Sequence, residues 1–184
     1  MVVEHFKEEE TPQWFVLNAY KSENKAEQLL IKEGIKYFIP KHYVLRKSLG
    51  KTIRRLEPFI PNLVFVYDTY YRIDALQKLN PFIWFATRKK QGNNVIMKVP
   101  EPEMTNFIAV AKHYEEDLIW YKVDEIKLKQ GSKVRITGGI FNGAEGTLQK
   151  IEGKRNKRLV VQIKGLVAVA ATYIQPDFIQ VIKE

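Results

Sequence analysis

The stretch EPFIPNLVFVYD, residues 57–68, is the most informative part of the sequence. Two prolines precede a nearly unbroken apolar run. A short apolar run bounded by turn-forming residues predicts a buried β-strand. Because successive side chains of a strand point to opposite faces, Leu63 and Phe65 share one face and Val64 and Val66 share the other. One of these faces must pack on the helices of the fold, which leaves at most one face for a partner.

Composition limits the class of protein. The chain has 184 residues, of which 45% are hydrophobic, enough for one domain or two small ones with a buried core. It contains no run of about 18 apolar residues, so we expect no transmembrane helix. The first residues, MVVEHFKEEETPQ, carry four glutamates and no apolar core, so we expect no signal peptide and a cytoplasmic protein.

The sequence offers little for catalysis or metal binding. Cysteine is absent, and the three histidines, His5, His42 and His113, lack the spacing of metal ligands. No nucleophile–histidine set, paired carboxylates or phosphate-binding glycine loop is apparent, so we expect neither an enzyme nor a cofactor. A net charge of +9 and a pI near 9.5 instead favour an acidic partner, nucleic acid above all.

Residues 13–117 have the pattern of an α+β domain, preceded by a disordered lead over 1–12. The predicted strands are 14–21, 35–47 and 52–59 as a hairpin, the apolar run after Asn62, and 82–87. The predicted helices are ENKAEQLLIKE, capped by Ser22 and stopped by Gly34, then 72–79 and 101–116.

Residues 130–184 have a different pattern, after a predicted linker over 118–129. Glycines recur between the short strand candidates KVRIT, GTLQKI, RLVVQIK and VAVAATYI, which is typical of a small all-β barrel. The charge is also uneven, because residues 1–117 hold 18 basic and 15 acidic residues whereas residues 118–184 hold 12 and 6. We therefore predict two domains.

Two motifs resemble known families. GSKVRITGGIFNGAEGTL, residues 131–148, resembles the KOW motif, whose turn here contains Gly138, Gly139, Phe141, Gly143 and Gly146. Tight turns of this kind need positive φ or close backbone approach. WFVLNAY and FIPNLVFVY resemble the N-terminal domain of NusG-type transcription elongation factors. The resemblance implies an α+β NusG domain, an antiparallel sheet flanked by helices, followed by an SH3-like KOW barrel in a bacterial protein.

The resemblance also implies an RNA polymerase contact. In this family an apolar concave surface grips the coiled-coil tip of the polymerase clamp. The positions implied here are Ile60, Pro61, Leu63, Phe65, Phe85, Met104 and Phe107. The alternative is that all seven are ordinary core residues. The Pro61-Asn62 step and the ending AVAATYIQPDFIQVI look more like operon-specific paralogues of the RfaH and UpxY types, which implies action on operons such as those for capsular polysaccharide.

A basic hairpin is the second candidate site. Its cations are Lys41, Arg46, Lys47, Lys51, Arg54 and Arg55, with no acidic residue among them. Such cations neutralise phosphates, and His42 or Tyr43 could stack on a base. In the family this side of the domain lies near the non-template DNA strand at the upstream fork, and Lys25 resembles a further contact there. A solvated hairpin tip is the alternative.

Two further basic clusters are weaker candidates. Arg88, Lys89 and Lys90 are interpreted as the edge of a turn. Lys154, Arg155, Lys157 and Arg158 form a loop cluster of the KOW domain that could contact RNA or the ribosome, with a solvated loop as the alternative. Other hypotheses for the whole chain are a ribosome-associated RNA-binding KOW protein and a general housekeeping NusG. We expect a monomer without a membrane partner.

Overall fold

The computed structural model describes residues 11–48, 50–122, 131–151, 153, 155–172 and 174–182. The helices are α1 (Glu23–Lys32), α2 (Tyr70–Leu79) and α3 (Glu101–Ala111). The strands are β1 (Gln13–Ala19), β2 (Lys36–Phe38), β3 (Lys41–Ser48), β4 (Lys51–Pro58), β5 (Leu63–Asp68), β6 (Ile83–Phe85), β7 (Thr87–Lys90), β8 (Asn93–Ile96), β9 (Lys98–Val99), β10 (Ile119–Lys122), β11 (Ser132–Ile136), β12 (Glu145–Lys150), β13 (Lys157–Ile163), β14 (Val167–Ala170) and β15 (Ile179–Val181). Within these ranges, no helix has the length and apolar character needed to cross a membrane.

The described residues form two compact units. The first contains those up to Pro40 together with Pro58–Glu101, and the second contains Lys41–Glu57 together with those from Pro102 onward.

The first unit is built on an antiparallel sheet with strand order β2-β5-β1-β6, in which β9 also pairs with β1. Aromatic and β-branched residues are frequent in β1 and β5, as expected for central strands. One face of these strands carries Phe15, Leu17, Val64 and Val66, all buried. They belong to one core cluster with Ala26 and Leu30 of α1 and Ile73 and Leu76 of α2. Both helices therefore pack on this face of the sheet.

Local signals explain where α1 and α2 begin and end. Ser22 occupies the N-cap position of α1 but makes no side-chain capping hydrogen bond, contrary to the predicted cap. The α1 segment is followed by Gly34 at φ +63°, a conformation that glycine adopts without a steric penalty. Helix α2 begins two residues before the predicted start because Thr69 caps it, with its hydroxyl accepting from the backbone N–H of Arg72 at 3.3 Å.

The first predicted strand of the basic hairpin is divided by Pro40. Residues before it form β2, which pairs with β5, and residues after it form β3, which pairs with β4 as a separate two-stranded ribbon. Proline cannot donate a backbone hydrogen bond, so it interrupts a strand readily. Helix α3 also differs from prediction, because it ends at Ala111 and not at Glu116.

The second unit contains a six-stranded antiparallel sheet with strand order β10-β14-β13-β12-β11-β15. The four predicted strands of the C-terminal region are present as β11, β12, β13 and β14. The first three lie within one residue of the predicted bounds, whereas β14 ends at Ala170, four residues before the predicted end. Residues 119–122 of the predicted linker form β10, which pairs with β14. The remainder of that linker, 123–130, lies outside the described residues. The predicted α+β domain followed by an all-β KOW-like part is confirmed.

Candidate functional site

The turn before β5 explains the Pro61-Asn62 step. Asn62 has φ +68°, and the N–H of Leu63 donates to the carbonyl of Ile60 at 3.4 Å. Proline followed by a residue with positive φ is the pattern of a type II turn, and asparagine tolerates this conformation better than other residues with a Cβ. Asn62 Oδ1 also accepts from the backbone N–H of Lys21 at 2.7 Å, and the Asn62 N–H donates to Glu23 Oε1 at 2.6 Å. The turn is thereby attached to the connection between β1 and α1.

The sheet face opposite α1 and α2 contains the predicted polymerase-binding residues Leu63 and Phe65. The register places Val16 beside Phe65 and Asn18 beside Leu63, so these four residues share one face. Leu63 and Phe65 are 6% and 0% exposed, and Val16 is also buried. Nearby, Ile60 is half-buried and Pro61 is exposed. The alternation predicted from the sequence is present, and the polymerase contact itself stays a prediction.

Phe85 was wrongly grouped with Leu63 and Phe65. Register pairs Phe85 with Leu17, which places it on the face that packs against α1 and α2. Its ring lies 5.3 Å from the Phe15 ring and stacks on Tyr70 at 5.4 Å. The strand pairing decided this, because one residue of shift in register moves a side chain to the other face.

Trp84 is the residue that the sequence analysis missed. It pairs with Asn18, whose other neighbour is Leu63, so the three residues form a row across β6, β1 and β5 on the face opposite the helices. Trp84 is 41% exposed. Alternation within FIWFAT is the signal that could have identified it, since that pattern places Trp84 opposite Ile83 and Phe85.

The predicted residues Met104 and Phe107 are buried in the second unit. Both lie on α3 and are 0% exposed. The Phe107 ring is 6.2 Å from the Trp120 ring of β10, in an edge-on arrangement. These two side chains are therefore core residues in the described conformation, and their role toward polymerase is untested.

Polar contacts attach α3 to the C-terminal sheet. Asn106 Oδ1 accepts from the Glu145 backbone N–H at 2.8 Å, and Glu103 Oε2 accepts from the Lys164 N–H at 3.2 Å. Beside these contacts, a cleft of about 300 Å³ lies between the first turns of α3 and strands β11, β12 and β13. The attachment of α3 is therefore partly polar.

The basic β3–β4 hairpin is partly neutralised. Arg46 Nε donates to Glu57 Oε1 at 2.9 Å, and this hydrogen bond lowers the pKa of Glu57. Arg54 Nη1 donates to Glu115 Oε2 at 3.3 Å. No acidic residue lies between positions 41 and 55, but glutamates outside this range pair with two of the arginines in the folded hairpin. The hairpin is therefore less basic than its sequence indicates.

Tyr43 is positioned differently from the predicted base-stacking role. Its hydroxyl donates to Glu115 Oε1 at 2.6 Å, which raises its pKa, and the Arg54 guanidinium lies 3.6 Å from its ring centre. One face of the ring is thus already covered by a cation. His42 is half-buried, and burial lowers its pKa despite the opposing effect of Glu57.

The other predicted nucleic-acid contacts vary in exposure. Lys47, Lys51 and Arg55 are exposed on the hairpin, whereas Lys41 is half-buried. In the first unit, Lys25 is exposed and its Nζ lies 4.2 Å from the centre of the Phe82 ring, a cation–π distance. These positions keep Lys47, Lys51 and Arg55 available for an acidic partner.

The predicted basic loop of the C-terminal region is smaller than the sequence indicates. Arg158 lies on β13, is 9% exposed, and donates to the carbonyls of Asp117 and Ala171 at 3.1 and 3.2 Å. It is a structural residue, so its placement in the loop cluster was wrong. Arg155 and Lys157 are exposed, and Lys154 lies outside the described residues.

The KOW-type turn has the backbone that its glycines predicted. Gly143 has φ +85° and donates to the Ile136 carbonyl at 2.7 Å. A Cβ on Gly146 would lie 2.5 Å from the Val160 carbonyl oxygen of the adjacent strand. Phe141 is buried, with its ring 5.3 Å from the ring of His113. Hence the turn is shaped by close packing, and Phe141 anchors it to the segment that follows α3.

The features described above are an apolar sheet face and several exposed cations. Within the described part of the chain, no cluster of three or more potential metal ligands occurs. The molecule falls into the class of α+β proteins with an added all-β part.

Comparison with known families identifies this class more closely. The family model described as "Transcription termination factor nusG" matches residues 12–108, which is more than half of the chain. The chain belongs to the NusG family, and is therefore a transcription factor of that type. Among solved structures it is similar to one described as "Domain interaction in Thermotoga maritima NusG", at 20% identity, with 95% of this chain and 99% of that chain covered and a TM-score of 0.40. A comparison with curated proteins found no match.

Proposed function

We propose that this protein is a transcription elongation and antitermination factor that binds RNA polymerase through its N-terminal domain and suppresses pausing or termination. Membership of the NusG family supports an interaction with polymerase in general. The observation that carries the proposal is the second apolar face of the N-terminal sheet, which bears Val16, Leu63 and Phe65 opposite the helix-covered face. The partner is the coiled-coil tip of the polymerase clamp, and no chemical step is required.

Contact with the clamp begins at the accessible end of this face. Trp84 is 41% exposed and neighbours Asn18, which neighbours Leu63, while Pro61 is exposed at the turn before β5. An exposed tryptophan beside apolar residues is typical of an interface anchor. Leu63 and Phe65 continue the same face of the sheet and are buried in the structure.

Met104 and Phe107 join the contact only after α3 separates from the C-terminal sheet. Both side chains are buried, and Asn106 and Glu103 connect α3 to β12 and to the segment after β13. Helix α3 can be attached to the C-terminal sheet or separated from it, and a ligand shifts this equilibrium toward the state that it binds more tightly. Polymerase would contact Met104 and Phe107 only in the separated state. Polymerase binding therefore favours separation.

The β3–β4 hairpin contacts the non-template DNA strand near the upstream fork. Lys47, Lys51 and Arg55 are the exposed cations of the hairpin that support this contact. Arg46 and Arg54 contribute less, because each donates to a glutamate. Action on particular operons, such as those for capsular polysaccharide, is supported by the Pro61-Asn62 step that resembles operon-specific paralogues.

Capture of core RNA polymerase by the full chain tests the proposal. Replacing an interface tryptophan commonly costs about 2 kcal/mol, or roughly thirtyfold in Kd, so Trp84→Asp should weaken capture by that order. Leu79→Asp is the matched control, because Leu79 is 81% exposed at the end of α2. Capture of wild type and Leu79→Asp but not of Trp84→Asp is the expected result.

Two outcomes would contradict the proposal at different levels. Equal capture of all three proteins would exclude Trp84 from the contact, and the polymerase-binding surface would then lie in another part of the molecule. Failure of wild type to bind core polymerase would exclude polymerase binding altogether, and ribosome binding would then be the function to examine.

A further inference from the structure

The segment from Ala75 to Pro100 carries positive charge without any acidic residue. Its cations are Lys78, Arg88, Lys89, Lys90 and Lys98. Three of them are consecutive on β7, where the sequence analysis placed the edge of a turn. They lie directly before the turn at Gln91 and Gly92, and β7 pairs with β8 to form a two-stranded antiparallel ribbon.

The β7–β8 ribbon is a regular and exposed structure. Its strands are joined by Gln91 and Gly92, which both have positive φ, at 49° and 84°, as in the two-residue turns that favour tight hairpins. Every residue from Thr87 to Val95 is exposed. Alternation places Arg88 and Lys90, about 7 Å apart along the strand, on one face and Lys89 on the other. The ribbon therefore presents cations on both faces.

These cations differ from those of the β3–β4 hairpin in being uncompensated. Arg46 and Arg54 of the hairpin each donate to a glutamate. In the part of the chain that the structure describes, Arg88, Lys89 and Lys90 form no ion pair, and their strand partners are Val95, Asn94 and Asn93. Three adjacent and exposed positive charges attract a polyanion.

We propose that the β7–β8 ribbon binds the backbone and groove of duplex DNA. A two-stranded β-ribbon fits the major groove of B-form DNA, which is about 12 Å wide. The cations neutralise phosphates, while the amides of Gln91, Asn93 and Asn94 at the tip lie where they can reach phosphate oxygens or base edges. This surface extends the proposed function beyond the hairpin contact, and it does not require polymerase binding.

Other nucleic acids fit the ribbon less well. Proteins that bind single strands use aromatic side chains as stacking surfaces, and residues 87–98 contain no aromatic residue. Double-stranded RNA has a deep and narrow major groove that side chains do not enter. The shape and composition of the ribbon therefore favour duplex DNA over both.

Salt-dependent binding of the full chain to a short labelled DNA duplex tests this proposal. The variant Lys89→Gln/Lys90→Gln removes two ribbon charges, and Lys32→Gln/Lys112→Gln removes two exposed lysines elsewhere. Each phosphate that the protein no longer neutralises should reduce the log–log salt slope by about 0.9, so the slope of the ribbon variant should decrease by roughly two and its binding should weaken several-fold. The control variant should keep a slope close to that of wild type. Circular dichroism verifies that both variants are folded.

Several outcomes would overturn the proposal. Equal slopes for the two variants would mean that overall charge, and not the ribbon, determines affinity. An equal or larger reduction with double-stranded RNA or single-stranded DNA of the same sequence would exclude duplex DNA as the preferred partner. Lack of DNA binding by the wild-type protein at low salt would also exclude duplex DNA as the partner. Polymerase capture is measured in a separate experiment. A negative result for DNA binding would not affect the proposed function, and a negative result for polymerase capture would not affect the conclusion about DNA binding.

Discussion

Asn62 combines a backbone and a side-chain role at the turn before β5. Its positive φ of 68° disfavours most residues with a Cβ, and its side chain accepts from the Lys21 N–H. A glycine at this position keeps the backbone conformation but loses the hydrogen bond. The two roles can therefore be separated by substitution.

We expect Asn62→Ala to destabilise the protein by about 1 to 2 kcal/mol, because it adds left-handed strain to the loss of a hydrogen bond. Asn62→Gly should cost less, since it removes the hydrogen bond alone. Urea unfolding followed by circular dichroism measures both changes. Equal stability of Asn62→Ala and wild type would show that the turn relaxes into another conformation.

His113 lies where the segment after α3 contacts the KOW-type turn. Its Nε2 is buried and has no hydrogen-bond partner in the described part of the chain, and its ring packs on Phe141. Burial lowers the pKa of His113 from its ordinary value of 6.5, and Lys112 lowers it further, while Glu116 and a backbone hydrogen bond with Ile140 oppose the shift. The folded protein thus favours the neutral imidazole.

The free energy of unfolding should accordingly fall as the pH decreases below about 6.5. The reason is that His113 binds a proton more readily in the unfolded chain than in the folded chain. Above that pH the neutral ring is present in both states and this effect vanishes. His113→Gln should reduce the acid dependence, which chemical unfolding at a series of pH values measures. His42 also has a lowered pKa, so part of the dependence should remain. An unchanged dependence in the variant would assign the whole effect to other groups.

Helix α3 carries two of the predicted polymerase contacts, and the proposed function requires its separation from the C-terminal sheet. It presents Met104 and Phe107 inward, and the hydrogen bond from the Glu145 N–H to Asn106 Oδ1 is one of its polar connections to the C-terminal sheet. Removing one such bond weakens the closed arrangement without altering either apolar side chain.

Asn106→Ala should therefore speed amide hydrogen exchange at Glu145 and strengthen capture of core polymerase. Asn156→Ala is a suitable control, because Asn156 is exposed and distant in sequence from α3. The expected gain in capture is several-fold, since a net hydrogen bond contributes about 1 kcal/mol. Weaker capture by Asn106→Ala would mean that the attached form of α3 is the one that binds.

At the level of the complete chain, the proposed activity requires binding and no chemistry. A factor that bridges the polymerase clamp and the opposite side of the cleft disfavours the opened, paused enzyme. Added protein should shorten pauses or raise read-through in single-round transcription, most strongly on the leader of its own operon. Trp84→Asp should lack this effect. An unaltered pause pattern on every template, native leader included, would argue against the proposed function.

Local patterns in the sequence were sufficient for most elements. Alternation along β5, the apolar spacing of α1 and the glycines around Phe141 depend on neighbours two to four positions away, so they predict strand, helix and turn without knowledge of the fold. The same patterns predicted the α+β domain and the following all-β part. Helix ends and the division at Pro40 were less accurate, because capping by Thr69 and strand pairing depend on the final geometry.

Long-range contacts decided which candidate residues can meet a partner. Arg54 is neutralised by Glu115, 61 positions away, and Arg158 is held by Asp117, 41 positions away. Strand register placed Phe85 on the helix-covered face and Trp84 on the opposite one. Identity and charge are properties of a residue, whereas exposure and pairing are properties of the packed chain. For this reason the sequence determines the residue types of the candidate surfaces, whereas the tertiary structure decides which of these side chains are exposed and unpaired.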